Sequence, residues 1–126
     1  MIENILDASA ILAVLQNETG KEKVEPILEK SAISRVNATE VLTKLIEKGM
    51  SAREAKQAFD DLELEVIEFN ESQSLKAAEL RPLTKHLGLS LGDRCCLALA
   101  ILEKLPAVTA DKNWAGLNFV KIELIR

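Results

Sequence analysis

The run from Cys95 to Leu102, Cys-Cys-Leu-Ala-Leu-Ala-Ile-Leu, is apolar on every side. It is too long for a typical buried strand and poor in β-branched residues, so the pattern predicts a helix covered all round by protein. The rest of the chain has to be organised around it. Ser90 stands where the N-cap of that helix belongs, and Asp93 follows three residues later, within the first turn, where backbone N–H groups and the helix dipole favour negative charge. Capping alone accounts for an acid at such a position. The same arrangement, an acid where a strand or loop gives way to a helix, recurs at Asp7, Glu40 and Asp111.

Taken in order, Ile2 to Leu6 is a short apolar strand ending at Asp7, and Ala8 to Leu15 continues as a helix that Asp7 or Ser9 can cap. Glu18-Thr-Gly-Lys is a turn, and Val24, Ile27 and Leu28 give a helical face up to Lys30. Ala32 to Ser34 reads as a second strand. Asn37 then opens a helix with Ala38, Val41, Leu42, Leu45 and Ile46 at helical spacing. Asn37-x-x-Glu40 has the form of a capping box, and Lys44 stands four residues after Glu40 as a solvated ion-pair partner. Lys48-Gly-Met-Ser closes this helix and starts another, with Ala52, Ala55, Phe59 and Leu62 on one face; together the two predict a helical hairpin whose charged outer surface is the best place for a partner, with a solvated face as the alternative for any single charge run. Leu64 to Phe69 alternates as a strand, Ser72 to Leu80 is a helix interrupted at Arg81-Pro82, and the Asp93 helix follows. Ala107 to Thr109 is a fourth strand, Asp111 to Trp114 a turn into a short helical segment, and Val120 to Ile125 a last strand at an edge.

The 126 residues suffice for one domain with a real core, spanning 1–126, and are too few for two. No stretch reaches the length of a membrane span and no signal peptide is evident, which makes the cytoplasm the expected location. Cys95 and Cys96 are the only cysteines; as neighbours inside an apolar helix they read as core thiols, neither disulfide nor zinc site. His86 is the only histidine, in a surface context, so Ser-His and Cys-His mechanisms find little support. Acids exceed bases by 20 to 16, a net charge of -4 that argues against non-specific coating of DNA. Four clustered acids would account for the whole excess.

Strands alternating with helices imply a parallel sheet covered on both faces, and ligands in such sheets bind beyond the carboxyl ends of the strands. Asp7, Asp111 and the approach to Glu40 fall there. On the residues alone two readings stand. Either the four acids are independent helix caps, or they meet in one cleft, where their repulsion calls for a cation; with oxygen ligands only, that cation is magnesium or manganese.

Four segments, Leu6-Asp-Ala-Ser-Ala-Ile-Leu, Arg35-Val-Asn-Ala-Thr-Glu-Val-Leu, Leu89-Ser-Leu-Gly-Asp-Arg-Cys-Cys-Leu-Ala-Leu-Ala and Val108-Thr-Ala-Asp-Lys-Asn-Trp, closely resemble in order and spacing the four motifs of PIN-domain ribonucleases. The likeness spans the chain and is greatest to the VapC toxins of toxin–antitoxin pairs. It implies a PIN-like three-layer α/β/α sandwich with a central, mainly parallel sheet and a helical hairpin appendage. The family's acids fall on Asp7, Glu40, Asp93 and Asp111, with Ser9 and Thr109 in supporting positions. Cys95 replaces the usual alanine, and Asn113 stands where some relatives carry a fifth acid. The resemblance implies a magnesium-dependent endoribonuclease, with manganese able to substitute: Asp7 and Asp93 hold the principal ion, and Glu40 and Asp111 complete the shell, orient water or bind a second ion. It also implies an RNA substrate, a small neutralising antitoxin and a homodimer. Arg94, Lys112, Arg35 and Lys44 lie near the acids in sequence and are candidates either for RNA phosphate contacts or for structural ion pairs. Two alternatives differ in class: a PIN fold that only binds, and a phosphotransfer domain. Against the second, Asp7-Ala8-Ser9 lacks a second aspartate and no aspartate is evident at the end of a middle strand.

Overall fold

The computed structural model describes residues 1–126. Five strands, β1 (Asn4–Leu6), β2 (Ser31–Ser34), β3 (Glu65–Ile67), β4 (Ala107–Thr109) and β5 (Ile122–Leu124), form one sheet in the order β3-β2-β1-β4-β5. Every pairing is parallel, with Ile5 opposite both Ala32 and Ala107. The first two strands are short because each is cut off by the cap of the helix that follows: Asp7 after β1 and Ser34 at the end of β2 accept backbone N–H groups of that helix.

Seven helices join the strands: α1 (Ala8–Leu15), α2 (Lys21–Val24), α3 (Arg35–Glu47), α4 (Ala52–Asp60), α5 (Glu71–Glu79), α6 (Arg81–Thr84) and α7 (Leu91–Glu103). Successive strand residues point to opposite faces, and this sorts the core into two halves. Ile5, Ala32 and Ala107 face α5 and α7, in a cluster with Leu97, Leu99 and Trp114. Leu6, Ile33 and Val108 face α1, α3 and α4, in a cluster with Ile11, Val41, Leu45 and Phe59. A parallel sheet needs cover on both faces, and the result is a three-layer α/β/α sandwich. Cys95 to Ala100 are all buried, as the apolar run requires, and both thiols are free. No helix is long and apolar enough to cross a membrane.

The hairpin of α3 and α4 is present, but it starts differently from its sequence pattern. The cap of α3 is Ser34, which accepts from Val36 N at 3.2 Å, so Asn37 lies inside the first turn and is not a cap. Lys44 pairs with Glu47 at 3.4 Å and not with Glu40. The terminal strands are trimmed to Asn4–Leu6 and Ile122–Leu124, and β5 is an edge as expected.

Candidate active site

Asp7 follows the central strand directly and is 5% exposed. Its Oδ1 accepts from Ala10 N at 3.0 Å and from the Ser9 hydroxyl at 2.7 Å, and its Oδ2 accepts from the Thr109 hydroxyl at 2.6 Å. The backbone aims both hydroxyls: Ala110 N donates to Ser9 Oγ at 2.9 Å and Asp111 N to Thr109 Oγ1 at 3.0 Å, so the protons of Ser9 and Thr109 turn toward Asp7. No lysine or arginine side chain pairs with it. Burial pushes the Asp7 carboxyl up to about 6, against the lowering effect of its hydrogen bonds, and the charge of Asp93 adds a smaller push in the same direction.

Asp93 sits on the first turn of α7 in a reciprocal capping box with Ser90: Asp93 Oδ2 accepts from Ser90 N at 2.9 Å, and Asp93 N donates to Ser90 Oγ at 3.1 Å. Asp111 follows β4 and caps the 3-10 turn after it, accepting from Asn113 N at 2.9 Å. Glu40 projects from α3, and its Oε1 accepts from Asn37 Nδ2 at 2.7 Å. All four acids line one pocket of about 230 Å³, together with Ala8, Ser9, Leu12, Asn37 and Lys44. Capping and clustering therefore coexist. The caps fix where Asp7, Asp93 and Asp111 emerge; the strand order brings Asp7 and Asp111 together at the carboxyl edge of the sheet, while α7 and α3 deliver Asp93 and Glu40.

The basic candidates separate. Lys44 is the one cation on the pocket wall. Arg35 forms a two-oxygen pair with Glu68, its Nη2 2.6 Å from Oε2, and lines a groove on the hairpin instead. Arg94 is half-buried and donates from Nη1 to Ala77 O at 2.9 Å near the end of α5, where a cation suits the helix dipole. Lys112 is exposed and faces a shallow, polar depression of about 610 Å³ with Asn17, Glu18, Thr19 and Arg126. One contributor escaped the sequence reading as a site residue: Asn37, which looked like a cap and is 1% exposed beside Glu40. Its position three residues before Glu40 was the available signal.

The donor set suits a hard divalent cation, since it consists of carboxylate oxygens in a pocket with a single lysine to offset them. No three of the acids stand close enough to ligate one ion together. Magnesium does not demand that, because one or two carboxylates commonly hold it while water completes its octahedron. As for phosphotransfer, Asp7 does end the central strand, because the strand order puts the first strand in the middle. Its oxygens, however, already accept three hydrogen bonds in a buried setting, which suits a fixed anion better than a free nucleophile.

The model of the PIN domain family matches residues 5–120. Among solved structures, a chain of the DNA-bound VapBC from Salmonella typhimurium superposes with a TM-score of 0.80 at 17% identity, covering 100% of both chains. A chain of a toxin-antitoxin complex from Klebsiella pneumoniae gives 0.74 at 21% identity, covering 94% of this chain and 95% of that one. VapBC-1 from nontypeable Haemophilus influenzae gives 0.74 at 19%, covering 99% and 98%. No curated protein matches the sequence significantly.

Proposed function

The chain belongs to the PIN domain family, and from that premise we propose that it is a metal-dependent endoribonuclease acting as the toxin of a VapBC-type pair. The observation that carries the reading is the convergence of Asp7, Glu40, Asp93 and Asp111 on one pocket from four separate elements. Asp7 and Asp93 would hold the principal magnesium or manganese ion, and Glu40 and Asp111 would orient its water or bind a second ion. Such an ion, when bound, would supply Lewis acidity, making a water nucleophile easier to deprotonate and screening the charge on phosphate and leaving oxygen.

The protein's own part is placement. Ser9, Thr109 and Ala10 N hold the Asp7 carboxylate in one orientation, and the capping box fixes the base of Asp93. Lys44, exposed at the rim and able to leave Glu47, meets a phosphate of the RNA. Cleavage of RNA by purified protein with magnesium or manganese, its loss in EDTA, and its loss in folded Asp7→Asn and Asp93→Asn are the expected results. Equal turnover with metal and in EDTA would refute the reading.

The partner reading rests on the similar chains, which come from VapBC complexes. Between α3, α4 and β3 lies a groove of about 500 Å³, floored by Leu42, Ile46, Ala52, Phe59 and Val66 and edged by Arg35, Lys56 and Asp60. It suits an apolar segment of a small antitoxin carrying charges at its margins. A homodimer is part of the same proposal.

A further inference from the structure

Asn37 is buried on α3 and spends both of its amide protons on different elements. Nδ2 donates to Glu40 Oε1 at 2.7 Å and to Gly92 O, in the first turn of α7, at 3.0 Å. Both partners are acceptors, so the amide has one possible orientation. That orientation leaves Asn37 Oδ1 buried without any partner. A polar side chain that forgoes one of its own bonds while bracing a carboxylate and a neighbouring helix is placed for those two bonds and not for packing.

Gly92 completes the arrangement from the other side. Its backbone is ordinary helix, so the absence of a side chain serves space and not conformation. A Cβ there would come within 2.6 Å of Glu40 Oε1 and of Cδ, closer than real contacts allow. The Glu40 carboxylate therefore lies directly on the first turn of α7, one residue from Asp93. A glutamate has three rotatable bonds, and Glu40 is only half-buried. Without a brace its carboxylate would spread over several positions.

We propose that Asn37 and Gly92 clamp the Glu40 carboxylate against the first turn of α7, making Asn37 a positioning residue that sets where Glu40 stands relative to Asp93. The proposal rests on the reading of the acids as a divalent-cation site. Outer partners of this kind change metal affinity by about 10- to 100-fold when removed.

The test is calorimetric titration of the purified full chain with manganese. Wild type binds; Asn37→Ala and Gly92→Ala each bind at least about 10-fold more weakly. In a Glu40→Gln background, adding Asn37→Ala changes the affinity no further, because the clamp acts only through Glu40. A filler role for Asn37 predicts instead a lower melting temperature with wild-type manganese affinity, and that result overturns the clamp. So does equal weakening with and without Glu40. Absence of manganese binding by wild type is a different failure, which removes the cation site and the clamp with it. If Asn37→Ala does not fold, Gly92→Ala decides by the same affinity criterion. If neither folds, nuclear magnetic resonance of the wild type decides: the Asn37 side-chain amide protons exchange slowly and shift on adding magnesium, and fast-exchanging, unmoved protons overturn the proposal.

Discussion

At the scale of single residues, Asp7 links stability to pH. Its carboxyl titrates near 6 in the folded protein against an ordinary 3.8, with burial as the main cause. A raised folded-state value means that the folded chain binds the proton more tightly than the unfolded chain. This contribution to stability is fully present below the unfolded value and is lost as pH rises through about 6. The shift of about two units corresponds to roughly 3 kcal/mol. In EDTA, the wild type is expected to melt higher at pH 5 than at pH 7.5. Asp7→Asn should melt higher than wild type at pH 7.5, and the gap should close on acidification. A gap that opens at low pH instead would show that Asp7 is well compensated in the folded state. Cation binding needs the ionised form, so the stabilisation given by manganese should fade below about pH 6.

At the scale of elements, the α3–α4 hairpin does two jobs on its two sides. Toward the sheet it packs Val41, Leu45, Ala55 and Phe59 into the core and delivers Glu40 to the pocket. Away from it, Ile46 remains 46% exposed at the groove. An exposed isoleucine on an apolar floor contributes little to folding, yet its burial under a partner is worth about 1.5 kcal/mol or more. Ile46→Asp should leave the melting temperature nearly unchanged and weaken the antitoxin by at least about tenfold. Leu102→Asp, on α7 away from the groove and 41% exposed, should change neither the melting temperature nor the affinity. Equal affinity of wild type and Ile46→Asp in a titration with the neighbouring small protein would move the docking site elsewhere.

At the scale of the whole molecule, α7 is the central helix, buried from Cys95 to Ala100 between the sheet and α5. Cys95 and Cys96 lie within it, and burial pushes both thiols up, Cys96 the more strongly, with the nearby acids adding to the effect. A protonated, enclosed thiol is a poor nucleophile. Neither cysteine should react with a disulfide reagent at pH 8 until the chain opens, and both should then react together, since the helix that carries them cannot leave the core piecemeal. Rapid labelling of native protein at a rate independent of denaturant would show that α7 is not held as the structure has it.

Much of this was written locally. Most of the helices follow from apolar spacing, the capping box of α7 from Ser90 and Asp93, and the four acids that line the pocket from motifs that each span a few residues. Such signals are complete within one turn or one strand, and the chain carries them whatever surrounds it. What tertiary structure alone decided is which groups face one another. The strand order sets β1 beside β4, so that Thr109 donates to an aspartate 102 positions earlier. Packing of α3 on α7 turns Asn37 from an apparent cap into a brace across Glu40 and Gly92. The place of Arg94 on Ala77 O and of Arg35 on Glu68 is likewise a matter of neighbours brought in by folding. A charged side chain near an acid in sequence has many partners within reach, and only the packed arrangement selects one.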